Sequence, residues 1–297
     1  MRMKRIKDLL LLCLMVTVMN TTAQEHLSRI IVFGAHPDDC DLKAGGTAIK
    51  FARMGHPVKF VSLTNGDAGH QSMGGGALAK RRYAEALEAA KRMGIEYTII
   101  DNHDGELLPT LENRLKVIRE IRKWNADVVI SPRPNDYHPD HRYAGILVQD
   151  AAYMIIVPNI VPDIPPLKKN PVFLYLQDNF HNPTSFRPDI AVDIDDVKEQ
   201  KVYALSAHAS QFFEWLPWTS GDENKVPKSE KERLAWLTVT RMSNPISLNV
   251  RESLKKWYGN DHGESIKNAE AFEICEYGSQ PTEEEIRNLF PMLKSTK

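Results

Sequence analysis

Between Ile30 and Asp195, short runs rich in β-branched residues alternate with longer segments whose apolar positions recur every three or four residues. That alternation predicts βαβ units and a mostly parallel sheet with helices on both faces, an α/β architecture. The predicted strands are Ile30 to Gly34, Val58 to Leu63, Tyr97 to Ile100, Asp127 to Ile130, Phe173 to Leu176 and Ile190 to Ile194. The clearest helices run from Gly46 to Met54, from Leu78 to Met93 with Gly94 closing the end, and from Leu111 to Trp124 with Thr110 as N-cap.

Beyond this core the pattern weakens. Pro158 to Pro171 carries five prolines and little periodicity, which predicts an ordered rim loop before the fifth strand, and Gly66 to Gly76 reads as a Gly-rich loop. A helical stretch follows Asp195 through His208, and Lys228 to Thr240 and Glu283 to Leu293 also look helical. With no internal repeat and no clear linker, the expectation is one domain over 24–297, with a core at about 29–212 and a C-terminal elaboration over 213–297.

The first 23 residues read as a signal peptide. Arg2, Lys4, Arg5 and Lys7 precede the apolar run Leu9 to Val18, and Thr21-Thr22-Ala23 suits cleavage before Gln24. The run is much shorter than the ~20 residues of a bilayer span, so export to a periplasmic or extracellular location without stable membrane insertion is expected. Lys plus Arg number 38 against 39 Asp plus Glu, a balance that provides no global field to gather nucleic acid or anionic lipid. A small neutral substrate is therefore expected. Once Cys13 leaves with the signal, Cys40 and Cys275 remain, too few for a disulfide scaffold, although one bridge between them is open.

Sites in open parallel sheets form beyond the carboxyl ends of the strands, and here those positions are rich in imidazoles and carboxylates. Ala35-His36-Pro37-Asp38-Asp39 follows the first strand, Asp101 to Asp104 the third, and Arg133 to His141 the fourth. Zinc catalysis needs about three protein ligands, an open position for water, and a nearby base not bound to the metal. His36 and Asp39, three apart in a strand-to-helix turn, can point at one ion, and His141 can complete the set from the fourth strand's loop. Asp38 is then the candidate base, His138 faces the substrate carbonyl, and Asp136 and Asp140 are available to fix imidazole tautomers. Any single His or Asp after a strand is more often a cap or a solvated loop residue; two His/Asp clusters on one sheet edge shift that balance.

Ala35 to Asp39 and His138-Pro139-Asp140-His141 together resemble the two signature motifs of the PIG-L, or LmbE-like, family of zinc-dependent N-acetylglucosaminyl deacetylases. The resemblance extends to Arg82 with Glu85, to Asp104-Gly105-Glu106 and to Lys201 through Gln211, including His208-Ala209-Ser210-Gln211, and covers about Arg29 to Phe212. It implies a Rossmann-like sheet and removal of an acetyl group from an N-acetylated amino sugar, giving acetate and a free amine. It also implies zinc, or another divalent ion, on His36, Asp39 and His141, base work by Asp38, oxyanion polarisation by His138, and substrate contacts from Arg82 and Asp104. For Arg82 a surface ion pair with Glu85 is an equal alternative.

The family usually places Glu after the Asp pair, whereas this chain has Cys40 followed by Asp41. The thiol is open to three readings: a fourth soft ligand, a gap that Asp41 fills, or a small packed apolar residue. Gly74-Gly75-Gly76 lacks the Gly-Lys-Ser/Thr of a phosphate loop and is read as a mobile lid. Phe212, Phe213, Trp215 and Trp218 form an aromatic cluster that either covers a core or offers a sugar platform. His70, His103, His181 and His262 have no partners legible in the sequence. Two rival functions stay open, a zinc amidase for a non-sugar acylated amine and a non-catalytic carbohydrate-binding relative.

Overall fold

The computed structural model describes residues 26–293, so the expected signal peptide over 1–23 lies outside the described residues. Among the described residues seven strands form one sheet in the order β3-β2-β1-β4-β5-β7-β6. They are β1 (Ile30–Gly34), β2 (Val58–Ser62), β3 (Glu96–Ile99), β4 (Val128–Ser131), β5 (Val172–Leu176), β6 (Ile190–Asp193) and β7 (Ala269–Gly278). The first five pair in parallel, while β7 runs antiparallel to both β5 and β6.

The sheet is covered on both sides, which explains why its central strands read as continuous apolar runs rather than as alternating ones. Ile30 and Val32 face one core with α1 (Asp39–Arg53) and α2 (Gly75–Met93), and Ile31 and Phe33 face the other with α3 (Leu111–Trp124) and α4 (Pro139–Met154). The fold class expected from the sequence, a Rossmann-like α/β sheet with helices on both faces, is the one observed. No helix among the described residues is long and apolar enough to cross a membrane.

Four features depart from the sequence expectation. α1 begins at Asp39 rather than Gly46, because tertiary contacts accommodate the Gly45-Gly46 pair inside the helix. Gly46 N and Thr47 N donate to the buried Glu270 carboxylate of β7 at 2.8 and 2.7 Å, and Lys201 Nζ closes the cluster 2.8 Å from the same carboxylate. α2 begins at Gly75, so Gly75 and Gly76 form a first helical turn rather than part of a lid. The third departure is α4, unread in the sequence, whose first turn carries His141; Pro139 starts it, a position where proline's missing N–H costs nothing. β7 was also unread, since its Glu residues interrupt the apolar run.

The Pro158 to Pro171 segment does run as an irregular connection to β5. Arg122 orders it by donating to the carbonyls of Val157, Ile160, Val161 and Ile164. The helix after Asp195 ends at Leu205, as α5 (Lys198–Leu205), and a wide-turned segment over Ser210–Trp215 follows. Cys40 and Cys275 are both free and lie in the separate cores on opposite faces of the sheet, which excludes the bridge.

Candidate metal centre

In the order β3-β2-β1-β4-β5 the chain reverses direction across the sheet between β1 and β4, the switch point where a crevice opens beyond the strand ends. The two His/Asp clusters enter this crevice from its two sides. Gly34 ends β1 without a side chain because a Cβ there would stand 2.8 Å from Asp39 Cβ, so the turn folds back tightly. Asp39 Oδ2 then accepts from the Ala35 and His36 amides, each at 2.9 Å, which fixes its carboxylate under the turn.

Opposite, His138 caps α4: its Nδ1 accepts from the Asp140 amide at 3.2 Å. One turn on, His141 Nε2 stands 3.2 Å from His36 Nδ1. Asp39 Oδ2 lies 3.6 Å from that His36 nitrogen and 3.5 Å from His141 Nε2. Four ligands about 2.1 Å from a tetrahedral ion stand about 3.4 Å from one another. The three atoms therefore already have the spacing of three zinc ligands, and the donor set fits the ion that the sequence implies.

The far nitrogens of both candidate ligand imidazoles meet carboxylates, the usual arrangement behind a metal-binding His. His141 Nδ1 is 3.0 Å from Asp136 Oδ1. His36 Nε2 is 3.0 Å from Asp104 Oδ1 and 3.3 Å from Asp140 Oδ2. Asp140 is fully buried and also accepts from Gly105 N at 2.7 Å, tying the loop after β3 to α4. Two other trios within the crevice have metal-compatible spacing, His36 with His138 and His141, and His36 with Asp104 and Asp140.

The charge distribution favours a cation. Burial opposes protonation of His36, yet Asp104, Asp140 and Asp39 raise its pKa well above the ordinary imidazole value. His141 is likewise held up against burial by Asp39 and Asp136. Asp39 overcomes burial through the charges of His141 and His36, which hold it far below the usual carboxylate range. An excess of carboxylates that stabilises two imidazolium charges stabilises a divalent ion in their place. His138 behaves differently: burial, then the charges of His36 and His141, push its pKa down.

Arg82 is 2 % exposed, and the alternative surface pair with Glu85 is not formed. Glu85 pairs instead with Arg81 at 3.0 Å and accepts from Ser210 Oγ. Arg82 Nη2 donates to Asp38 Oδ1 at 2.8 Å, and its Nη1 lies 3.6 Å from Asp104 Oδ2. Both expected substrate contacts, Arg82 and Asp104, thus line the cavity while engaged with Asp38 and His36. Burial raises the Asp38 pKa, and the Arg82 charge opposes that rise.

Cys40 packs in the core, its Sγ 3.5 Å from Val32 O, and burial pushes its thiol pKa far up, so it is not a fourth ligand. Asp41 does not replace the missing Glu either, because its buried carboxylate accepts from Tyr97 Oη at 3.1 Å and meets His208 Nε2 at 3.1 Å, behind the turn. Cys40→Ala should cost about 1 kcal/mol of stability and leave metal content unchanged; a denaturant melt and metal analysis on one sample check both.

Sequence reasoning overlooked several residues of the 780 Å³ cavity that the centre opens into, among them Lys43, Asp178 and Phe180. Arg133 clamps Asp178 through two 2.7 Å bonds, which shapes the rim. Their signal was weak, since Asp178 and Phe180 lie in an aperiodic stretch after β5. The four unassigned histidines have partners: His70 meets Glu214, His103 meets Asp67, His181 meets Ser185 and His262 meets Asp193.

Residues 31–152 match the family profile described as PIG-L, GlcNAc-PI de-N-acetylase. A diacetylchitobiose deacetylase of Thermococcus kodakarensis is 33% identical over 205 residues, spanning 65% of this chain and 74% of the relative. A 4-oxalmesaconate hydratase of Pseudomonas putida is 26% identical over 199 residues, 64% of this chain and 76% of that protein. The solved N,N'-diacetylchitobiose deacetylase of Pyrococcus horikoshii superposes with a TM-score of 0.61 at 24% identity, covering 83% of each chain, a likeness of fold.

Proposed function

Because this chain belongs to the PIG-L, or GlcNAc-PI de-N-acetylase, family, we propose that it is a metal-dependent hydrolase that removes the acetyl group from an N-acetylated amino sugar. Its deacetylase relatives support an N-deacetylase at the level of reaction class. The observation that carries the finer reading is the triangle of His36 Nδ1, Asp39 Oδ2 and His141 Nε2, with edges of 3.2, 3.5 and 3.6 Å, lining one cavity with Asp38.

These three residues would hold a divalent ion, zinc by preference given two imidazoles and a carboxylate. When bound, that ion supplies a Lewis acid that acidifies water and polarises the amide carbonyl. Asp38 takes the proton from the attacking water: burial raises its pKa and so its basicity, while the Arg82 guanidinium that donates to its Oδ1 opposes that rise and holds the carboxylate in place. His138 donates with its Nδ1 already occupied by the Asp140 amide, so a neutral ring carries its proton on Nε2. That N–H is available to the developing oxyanion without a charged imidazole. As the C–N bond breaks, Asp38 returns its proton to the departing amine, leaving acetate and the free amino sugar. Asp136 and Asp104 hold the two ligand imidazoles in their orientation.

Acetate release from N-acetylglucosamine and its β-1,4-linked disaccharide, read with metal content on the same sample, tests this. Turnover should vanish with a chelator and return with zinc. Release from N-acetylated amino acids but not from the sugars would transfer the activity to the non-sugar amidase class. The relative named 4-oxalmesaconate hydratase supports one second reading, water addition. Consumption of 4-oxalmesaconate with no acetate from any substrate would replace deacetylation.

The proposal includes export, supported by the basic start, the short apolar run and Thr21-Thr22-Ala23. Mass spectrometry of the protein expressed in a bacterium should find its N-terminus at Gln24 or Glu25 outside the cytoplasm; an intact Met1 in the cytoplasm would contradict it.

A further inference from the structure

The aromatic cluster after α5 divides in two. Phe212 and Phe213 are buried in a core with Leu205 and Leu237. Trp215 lines the cavity of the metal centre instead, and Trp218 stacks on it with ring centroids 5.3 Å apart and planes 17° from parallel. Trp218 is 48% exposed, so the stack has Trp215 on the cavity lining and Trp218 behind it toward the surface.

The backbone aims this stack deliberately. Ser210–Trp215 is a π-helical segment, a widened turn of the kind that recurs at functional sites, and it leads directly into the short helix Leu216–Thr219. The wider turn brings Gln211 and Trp215 onto one face, where both line the cavity, while Phe212 and Phe213 turn inward. The segment is pinned on both sides. Gln211 Nε2 donates to Gly69 O at 3.0 Å, and Glu214 accepts from Arg81 Nη1 at 2.8 Å and meets His70 Nε2 at 2.9 Å. A Cβ added at Gly69 would stand 3.1 Å from Asp104 Oδ2 and 3.9 Å from Trp215 Nε1, so the indole begins one residue's width from the carboxylate behind His36.

The reacting end of the cavity is therefore charged, and the wall next to it is aromatic and rigid. A pyranose ring presents hydroxyls at its edge and C–H bonds on its face, and the negative face of an indole accepts those C–H bonds. We propose that Trp215, backed by Trp218, is the floor of a second sugar subsite, so that the substrate is an acetylated oligosaccharide in which a neighbouring ring stacks on Trp215. The assignment rests on the deacetylase reading and narrows its substrate class.

Trp215→Ala and Trp215→Phe, with melting temperatures compared to the parent chain, test it. The ratio of kcat/KM for the β-1,4-linked N-acetylglucosamine disaccharide to that for the monosaccharide should fall about tenfold in Trp215→Ala and be largely kept in Trp215→Phe, which retains a flat ring. An unchanged ratio, or equal losses on both sugars, overturns the subsite while leaving deacetylation standing. Binding of the disaccharide is read separately by calorimetry. Affinity lost in Trp215→Ala without any acetate release from the parent chain would uphold the subsite and overturn the deacetylase.

Discussion

Asp38→Asn is expected to keep its metal and to lose acetate release by about 10²–10⁴-fold, the usual contribution of a positioned proton-transfer group. The amide fills the same space beside Arg82 but accepts no proton at neutral pH. The substitution also removes the anion closest to a guanidinium that is 2 % exposed. Stripping one partner from a buried pair costs up to about 3–5 kcal/mol. Asp104, 3.6 Å from Arg82 Nη1, remains to limit that loss. Turnover should accordingly be compared well below the variant's melting temperature. Activity within threefold of the parent would remove Asp38 from the base role.

His141→Ala is expected to lose both metal and turnover. Changing a group behind a metal ligand already costs about 10–100-fold in affinity or activity, so removing the ligand should exceed that. An ion that binds only the folded chain stabilises it by an amount that grows with the logarithm of its concentration over its dissociation constant, and the parent should therefore melt higher when zinc is added whereas His141→Ala should not. Asp136→Asn, which alters only the carboxylate 3.0 Å behind His141, should fall between the two. Full metal content in His141→Ala would show that the second cluster takes no part in binding.

Much of the core was legible because its strands are buried on both faces and read as apolar runs, and because Thr110 and Gly94 mark helix ends by local chemistry. Three failures have tertiary causes. The start of α1 was hidden by Gly45-Gly46, a pair tolerated because Glu270, far away in sequence, takes the amides of Gly46 and Thr47. β7 was hidden by the same Glu270 and by its neighbours Glu273 and Glu276, polar residues in a strand that lies between two others. The burial of Arg82 was invisible locally, since its partner Asp38 sits 44 positions away while Glu85 sits on the same helix. By contrast α4 had a readable signal, Pro139 after a capping His138, that was absorbed into the metal motif. In the site, the sequence brought His36, Asp39 and His141 to one sheet edge; their spacing, and the split of the aromatic cluster into core and cavity wall, needed the folded chain.

The central claim is one divalent ion shared by two loops that lie a hundred residues apart. Anomalous diffraction at the zinc edge from crystals of the zinc-loaded protein tests it most directly. The account predicts one strong peak in bonding contact with His36 Nδ1, the Asp39 carboxylate and His141 Nε2, with His138 unbound. A peak on His36, His138 and His141 with Asp39 left out, or no peak at this crevice, would contradict it.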